Sequence, residues 1–245
     1  MPDRIVFSVS GSDRVPFLQG LVTNNVPNEI GQIVYAALLT PQGKLIADFF
    51  IVSEKDRLLI DVAESNATTL LQRLKMYRLR ADVEIKNTDL IVSRGMEAAP
   101  ARALRDPRSD ALGWRLYGSE NISQPVDWDA VRVANAIPET GVELGSDTYI
   151  LEAGFERLNG VDFKKGCFIG QEIVARMKHK TELRKGIVRV RIQGVASQGD
   201  KITNDGKVIG TLHTVSGDTG LAYLRFDRAE GELTAGEATL TRIET

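Results

Sequence analysis

The chain has little cysteine, few aromatic side chains and no long apolar run. Its one cysteine, Cys167, cannot form a disulfide within the chain, and a lone thiol is typical of a reducing compartment. Aromatic residues make up 6% of the chain, which argues against base stacking on nucleic acid. No apolar run reaches the about 18 residues of a membrane span, and the first residues resemble neither a signal peptide nor an Arg-rich presequence. We therefore expect a cytoplasmic protein that does not span a membrane.

Charge is nearly balanced overall but not locally. The formal net charge is −2, whereas residues 157–191 contain ten Lys or Arg and three Asp or Glu, a local net charge of +7. Such a block suits an anionic ligand such as a polycarboxylate, a phosphate or an RNA backbone, although a solvated basic face is an equally common explanation. His179 and His213 have no Cys or His partner at zinc spacing, so no stable metal site is expected.

The most chemically distinctive segment surrounds the cysteine, at residues 164–172 (KKGCFIGQE). Two lysines precede Cys167, a glycine stands nearby on either side, and apolar residues at helical spacing follow. This pattern predicts an amphipathic helix that begins at or just after the cysteine. A helix start and two lysines favour the thiolate form, which is a nucleophile and a metal ligand. The alternative is a small apolar residue packed under a loop, but the glycines, which allow close backbone approach, favour a reactive thiol.

The hydrophobic pattern predicts two domains. Strand-like runs at 4–9, 35–40, 44–52 and 57–62 precede a helix marked by apolar residues from 70 to 77, and further strands follow at 81–86 and 90–93. They indicate an α+β body over 1–183 with a ferredoxin-like part at about 44–115. Residues 94–110, rich in Ala, Arg, Pro and Asp, are predicted to form a loop or lid. Short alternating runs at 186–192, 208–213, 221–226 and 238–243, with a tight-turn signal at Asn204-Asp205-Gly206, predict a small β-barrel or sandwich over 184–245.

Several short motifs occur in a specific order along nearly the whole chain. They are Phe17-Leu18-Gln19-Gly20, Thr23-Asn24, Gln42-Gly43-Lys44, Asp48-Phe49, Tyr77-Arg78-Leu79-Arg80, Asp106-Pro107-Arg108, Leu112-Gly113, Ile137-Pro138-Glu139, and the octapeptide from Lys165 to Glu172 followed by Arg176. In this order they resemble the YgfZ family of folate-binding proteins, relatives of the glycine-cleavage T protein (GcvT). The resemblance implies a GcvT-like folate-binding body with a C-terminal β-barrel.

The same resemblance implies the function. The cofactor would be tetrahydrofolate or a one-carbon derivative, and the protein would support assembly or repair of iron–sulfur clusters in client enzymes. One such client would thiolate tRNA, so that tRNA modification is affected indirectly and direct nucleic-acid binding is not expected. The partners would be the folate molecule and iron–sulfur client or assembly proteins, with the chain itself a monomer.

The resemblance also implies residue roles. Cys167 would be the reactive thiol and at most a transient cluster ligand, because a stable cluster usually needs four thiolates. Glu152 would hold the pterin, since a carboxylate can accept two parallel N–H bonds from a 2-amino-4-oxo ring. Asp48 matches an acid of the T-protein active region. The remaining folate-binding residues would be Asn24, Tyr77, Lys165 and Arg176, the last with Lys178 and Lys180 at the folate tail. Support of the cysteine loop would come from Gly166, Gly170, Gln171 and Glu172.

The alternative function is a folate-dependent aminomethyltransferase. T proteins carry Asp-Asp where this chain has Ala47-Asp48, and Thr-Asn-Asp where it has Thr23-Asn24-Asn25. Both departures remove a carboxylate, and proton transfer around a folate amine needs a positioned acid or base. We therefore expect an accessory protein without turnover. A third hypothesis, an RNA-binding or tRNA-modifying enzyme, depends on the basic block alone.

Overall fold

The computed structural model describes residues 3–180 and 182–243, except for the side chain of Lys180. The chain forms two compact units. Unit 1 comprises Met1–Val126 and Phe155–Ala175, and unit 2 comprises Asp127–Gly154 and Arg176–Thr245. Two segments that the sequence pattern placed in the body, 127–154 and 176–183, therefore belong to the same unit as the C-terminal strands.

Unit 1 is built on a five-stranded antiparallel sheet. Its strands are β1 (Arg4–Ser10), β2 (Ile33–Leu39), β3 (Leu45–Ser53), β4 (Leu58–Ala63) and β5 (Glu84–Asn87), in the order β2-β3-β4-β1-β5. Helices α1 (Arg14–Gln19) and α2 (Glu64–Arg78) pack on one face. The helical spacing of Ala67, Leu70 and Leu74 puts them on the same side of α2, where they join Phe49 and Ile51 in the core.

A second, three-stranded sheet belongs to the same unit. It consists of β6 (Ile91–Gly95), β7 (Leu104–Arg105) and β8 (Trp114–Gly118), in the order β6-β8-β7. Apolar residues of the two sheets form a common cluster that includes Val6, Leu59 and Val92. Residues 96–103 form the loop that the composition predicted and are mostly exposed, but the prediction is wrong for Arg94, Asp106 and Arg108, which are buried. Ion pairs among these side chains allow them to lie inside the unit.

Unit 2 contains a closed barrel, one of the two arrangements that the alternating pattern predicted. The strands are β9 (Lys185–Gln193), β10 (Lys201–Asn204), β11 (Lys207–Ser216), β12 (Thr219–Arg225), β13 (Leu233–Ala235) and β14 (Ala238–Ile243), in the order β10-β11-β12-β9-β14-β13. Val188, Val190 and Ile192 alternate along β9 and point into the barrel core. No alternating run predicted β10 and β13, which have only four and three residues. Asp205 and Gly206, with φ of 48° and 72°, form the predicted tight turn between β10 and β11.

Helix α3 (Trp128–Ala134) is fixed to the barrel through the buried side chain of Arg132. Arg132 donates from Nη1 to Glu143 Oε2 at 3.0 Å and from Nη2 to the Thr214 hydroxyl on β11 at 2.9 Å. The Glu139 backbone N–H also donates to Glu143 Oε2, at 2.8 Å. The Ile137-Pro138-Glu139 motif thus has a structural role inside unit 2. None of the helices in the described part of the chain has the length and apolarity to cross a membrane.

Candidate functional site

The cysteine lies in a short irregular segment ahead of the fourth helix, α4 (Gln171–Lys180). Cys167 is exposed and carries a free thiol. The helix begins later than the apolar spacing predicted, because Gly170 has φ of +81°, outside the helical region. Cys167 therefore precedes the first helical residue by four positions.

The loop that carries Cys167, residues 163–170, is in close contact with the turn between β2 and β3. A Cβ atom on Gly170 would lie 2.7 Å from the Thr40 carbonyl oxygen, and one on Gly43 would lie 2.8 Å from Cβ of Ile173 in α4. Both glycines have positive φ, so each allows a close approach that another residue would prevent. Around Gly166, by contrast, a Cβ would meet no atom within 4 Å. The two motif glycines therefore differ: Gly170 holds the loop on the hairpin turn, whereas Gly166 faces open space.

Lys165 anchors the other end of the cysteine loop. Its buried ammonium donates to the carbonyl oxygen of Gln19, the last residue of α1, at 2.8 Å and to that of Val22, three residues beyond the helix. Burial lowers the pKa of Lys165 to about 8, and the carboxylate of Asp162 offsets only part of that effect. The carbonyl-rich end of a helix is a favourable place for a cation. The thiol is thus exposed on a loop that is held on both sides.

The other folate-binding residues predicted in unit 1 have contacts within the fold. Asn24 donates from Nδ2 to the backbone oxygens of Tyr35, at 2.9 Å, and Asn159, at 2.7 Å. Asp48 is 4% exposed on β3 and accepts a hydrogen bond of 3.0 Å from the Tyr35 hydroxyl. Tyr77 packs against the apolar core beneath α2. Their folate roles stay predictions.

In unit 2, Glu152 lies half-buried at a cleft. The cleft has a volume of about 720 Å³ and is lined by Glu152, Met177, Glu182, Leu183, Arg184, Phe226 and Asp227. Tyr223 donates from its hydroxyl to Glu152 Oε2 at 2.6 Å, and the Ile187 backbone N–H donates to the Glu152 carbonyl at 2.8 Å. Burial raises the pKa of the Tyr223 hydroxyl and the hydrogen bond to Glu152 raises it further, so Tyr223 remains a donor at neutral pH. Glu152 is thereby held in place with acceptor capacity left over.

Tyr223 was not identified from the sequence. Its neighbours on β12, Ala222 and Leu224, are buried in the barrel, and Tyr223 alternates to the other face. A tyrosine at an outward position of a barrel strand is a weak local signal. Its partner is 71 residues away in sequence, so the pairing itself could not be inferred.

The remaining predicted residues lie on α4. Gln171 is its first residue, and Glu172 is in its first turn, where the helix dipole favours a carboxylate. Arg176 and Lys178 are exposed, and the side chain of Lys180 lies outside the described residues. No group of three or more His, Cys, Asp or Glu side chains that could hold a metal ion occurs in the part of the chain that the structure describes.

Unit 1 also contains a buried ion cluster that the sequence pattern did not predict. Its carboxylates, Asp61 and Asp106, are joined by Arg115, which donates to Asp61 Oδ2 at 2.6 Å and to Asp106 Oδ2 at 3.2 Å. Arg4 donates to Asp61 Oδ1 at 2.6 Å, and Arg108 makes a bidentate pair with Asp106 at 3.0 and 2.9 Å. Burial alone would raise the pKa of Asp61, but Arg4 and Arg115 outweigh it and lower the value to about 2.

The cluster also contacts the aromatic core. The Arg115 guanidinium lies 3.9 Å from the centroid of the Phe50 ring, and that of Arg108 lies 4.9 Å from it. Cations over an aromatic face are stabilised by the ring quadrupole. Because the arginines of this cluster are paired with Asp61 and Asp106 and packed on aromatic rings, we assign the cluster a structural role.

Comparison with known proteins agrees with this architecture. Residues 5–94 match the GCVT N-terminal domain, and residues 184–244 match the CAF17 C-terminal β-barrel domain. The fold is similar to the crystal structure of glycine cleavage system aminomethyltransferase T from Bartonella henselae, with a TM-score of 0.79 and 14% identity, over 99% of this chain and 83% of that one. The predicted fold class is confirmed: the chain is a mixed α/β protein of GcvT-like fold with a CAF17-type C-terminal barrel.

Comparison with curated proteins shows which proteins of this class have similar sequences. Human mitochondrial iron–sulfur cluster assembly factor IBA57 is 28% identical over 94% of this chain and 78% of its own length. IBA57 homologues from Neurospora crassa and Mycosarcoma maydis are 32% and 30% identical over 77% of this chain. The chain spans only 52% and 55% of the length of these two fungal proteins. Its homologues are therefore iron–sulfur cluster assembly factors.

Proposed function

We propose that this chain belongs to the YgfZ family and is a tetrahydrofolate-binding accessory protein for assembly or repair of iron–sulfur clusters. The observation that carries the proposal is the exposed thiol of Cys167 on a loop anchored by Lys165 and Gly170. An exposed cysteine on a positioned loop suits exchange with a partner better than it suits packing. The IBA57 homologues support the same role.

Cys167 would act as one ligand of an iron–sulfur cluster that is delivered to or repaired in a client enzyme and is not a resident cofactor. Four thiolates usually hold a cluster, and the chain has a single cysteine, so the other ligands would come from a client, an assembly protein or a small thiol. The interaction would therefore be transient. We place the protein in the cytoplasm as a monomer, with an indirect effect on tRNA modification through a thiolating client.

The cleft at Glu152 fits the pterin part of the folate. A volume of about 720 Å³ is within the range of small-molecule sites. Glu152 retains an oxygen beyond the one that Tyr223 contacts, so it can accept N–H bonds from the 2-amino-4-oxo ring. Arg184 supplies a cation at the cleft for the folate carboxylates. When bound, tetrahydrofolate would supply a reduced pterin and a one-carbon carrier.

Calorimetric titration with tetrahydrofolate tests the folate part. Glu152→Ala should abolish measurable binding, whereas Cys167→Ala should leave the Kd within about threefold, an effect below 1 kcal/mol. Glu182→Gln, at the same cleft, is the matched control for loss of a negative charge and should retain binding. Unchanged binding by Glu152→Ala would contradict the assignment of the cleft.

Complementation tests the thiol part. In a strain that lacks the corresponding gene, wild type should restore the activity of a [4Fe–4S] enzyme and Cys167→Ala should not, although both proteins accumulate equally. Full restoration by Cys167→Ala would end the proposal that the thiol acts on clusters.

The second candidate, an aminomethyltransferase, is favoured by the fold similarity to aminomethyltransferase T. In that case Asp48 would serve as the acid near the folate amine. Its carboxylate is nearly inaccessible and accepts a hydrogen bond from Tyr35, which suits a fixed structural acceptor better than a proton carrier. Incubation with an aminomethyl donor and tetrahydrofolate should give no turnover. Turnover that is lost in Asp48→Asn would establish the enzyme instead.

A further inference from the structure

The turn that follows α2 has an unusual residue at its second position. The Ala81 backbone N–H donates to the Arg78 carbonyl at 2.8 Å, which closes a β-turn over residues 78–81. Leu79 at the second position has φ of 45° and ψ of −107°. Turns with positive φ at this position strongly favour glycine, and a leucine there is strained. The fold would accommodate a glycine at position 79 more easily than the leucine it has.

The side chain of Leu79 is also unfavourably placed for an isolated protein. Leu79 is 86% exposed, and Met76, three residues earlier, is 52% exposed. Neither side chain therefore contributes much to the core of unit 1. A strained backbone and an exposed apolar side chain at one position are two independent costs that a glycine would remove. Contact with another molecule would explain why a leucine stands there.

The charge around this apolar pair indicates what the other molecule is. Arg73, Lys75, Arg78 and Arg80 are exposed, and none of them forms an ion pair in the described part of the chain. Residues 73–81 contain no Asp or Glu. The next acid, Asp82, already accepts hydrogen bonds from the backbone N–H and the hydroxyl of Ser12. Residues 73–80 therefore combine an apolar pair with four cations and no acid, and Asp82 beyond them keeps its negative charge.

We propose that residues 73–80, here called the α2 turn surface, bind an acidic segment of a partner protein. Carboxylates of the partner would pair with the four cations, and an apolar side chain of the partner would cover Leu79 and Met76. RNA would satisfy the charges but would gain little from the apolar pair, and Tyr77 packs against the core beneath α2. The observations thus favour a protein segment. The surface lies entirely in unit 1 and involves none of the residues assigned to folate or thiol chemistry except Tyr77, which no variant below changes.

Fluorescence anisotropy with a labelled peptide, Glu-Asp-Glu-Leu-Glu-Glu-Leu-Glu, tests the surface. Leu79→Gly should weaken binding at least fivefold while the Tm stays equal to that of wild type or rises, because the turn is relaxed. Arg78→Gln combined with Arg80→Gln should weaken binding at least tenfold and reduce its salt dependence. Val195→Gly, at an apolar position of the barrel unit that is 74% exposed, is the matched control and should bind as wild type does.

Three results would overturn the proposal. Equal peptide affinity of wild type and Leu79→Gly would show that the leucine makes no contact. A lower Tm of Leu79→Gly would show that the side chain packs within unit 1. Tighter binding of a single-stranded RNA oligomer, unaffected by Leu79→Gly, would assign the surface to RNA. Cys167→Ala should bind the peptide as wild type does, so this test stands or fails separately from the iron–sulfur proposal.

Discussion

Asp61 in unit 1 and Glu152 in unit 2 are carboxylates that the fold uses in different ways. In unit 1, Asp61 is fully buried and accepts bonds from Arg4, Arg115 and Tyr117, so that both of its oxygens are occupied. In unit 2, Glu152 is half-buried, accepts one side-chain hydrogen bond from Tyr223 and lies at an open cleft. A carboxylate whose acceptors are all used holds a structure together, whereas one that is positioned with capacity left over can bind a ligand. This difference leads to measurable predictions for the Asp61 cluster and for Glu152.

Removing the shared arginine of the unit 1 cluster should have the largest effect. Arg115→Leu leaves Asp61 and Asp106 buried with fewer donors, and breaking a buried ion pair on one side costs about 3–5 kcal/mol of the free energy of unfolding. Urea unfolding followed by circular dichroism measures the loss.

The control for that variant is an exposed pair. Arg105 and Asp110 lie 3.5 Å apart with both side chains 82% exposed, so Arg105→Gln should cost less than about 1 kcal/mol. If Arg115→Leu lowers the free energy of unfolding by no more than Arg105→Gln does, the buried ion cluster does not stabilise unit 1.

The cysteine loop should respond to one motif glycine and not to the other. Gly170→Ala places a methyl group against the Thr40 carbonyl at a positive φ, and strain and overpacking together should cost about 2–3 kcal/mol. Gly166→Ala meets no atom and should change stability by less than about 0.5 kcal/mol. Urea unfolding and the rate of Cys167 modification by a disulfide reagent measure both variants. Equal effects of the two would show that the loop is not held at the hairpin turn.

The saturated cluster should also make stability depend on acid. The pKa of Asp61 is about 2 in the folded protein and 3.8 without the fold, so in this range the unfolded chain binds more protons. The contribution of Asp61 to the free energy of unfolding is therefore fully present well above pH 3.8. It falls by about 2 kcal/mol as the pH drops to 2. Urea unfolding from pH 5 to pH 2 should show the fall, and Asp61→Asn should be less stable at pH 5 but flatter with pH. An equally steep fall in Asp61→Asn would assign the acid sensitivity to other groups.

Local patterns in the sequence predicted most of the fold. Alternation identified the long strands of both units, and the spacing of Leu70 and Leu74 identified α2. Hydrophobic periodicity arises within a single strand or helix, so it can be recognised without knowledge of tertiary contacts. The very short strands β10 and β13 have too few residues to show a period.

What could not be predicted depends on residues that are distant in sequence. The Asp61–Arg115 pair spans 54 positions and the Glu152–Tyr223 pair spans 71. The Arg- and Asp-rich stretch at 94–110 has the composition of a solvated loop, and Asp106 within it is buried through its ion pairs with Arg94, Arg108 and, on β8, Arg115. The exposure of Cys167 followed from its motif, but the difference between Gly166 and Gly170 depended on where the hairpin turn lies.

The smallest expected effect concerns the support of the binding carboxylate. Tyr223→Phe removes the hydroxyl that orients Glu152, and the loss of one hydrogen bond should weaken tetrahydrofolate binding about fivefold, or about 1 kcal/mol. Calorimetric titration measures the change, with Tm as a check that the barrel is intact. In a Glu152→Gln background, Tyr223→Phe should have a smaller effect, because the carboxylate through which Tyr223 acts is absent. If the losses of binding free energy are additive in the double variant, Tyr223 acts on the ligand directly and does not orient Glu152. The comparison of Glu152 with Asp61 would then have no support from the binding data.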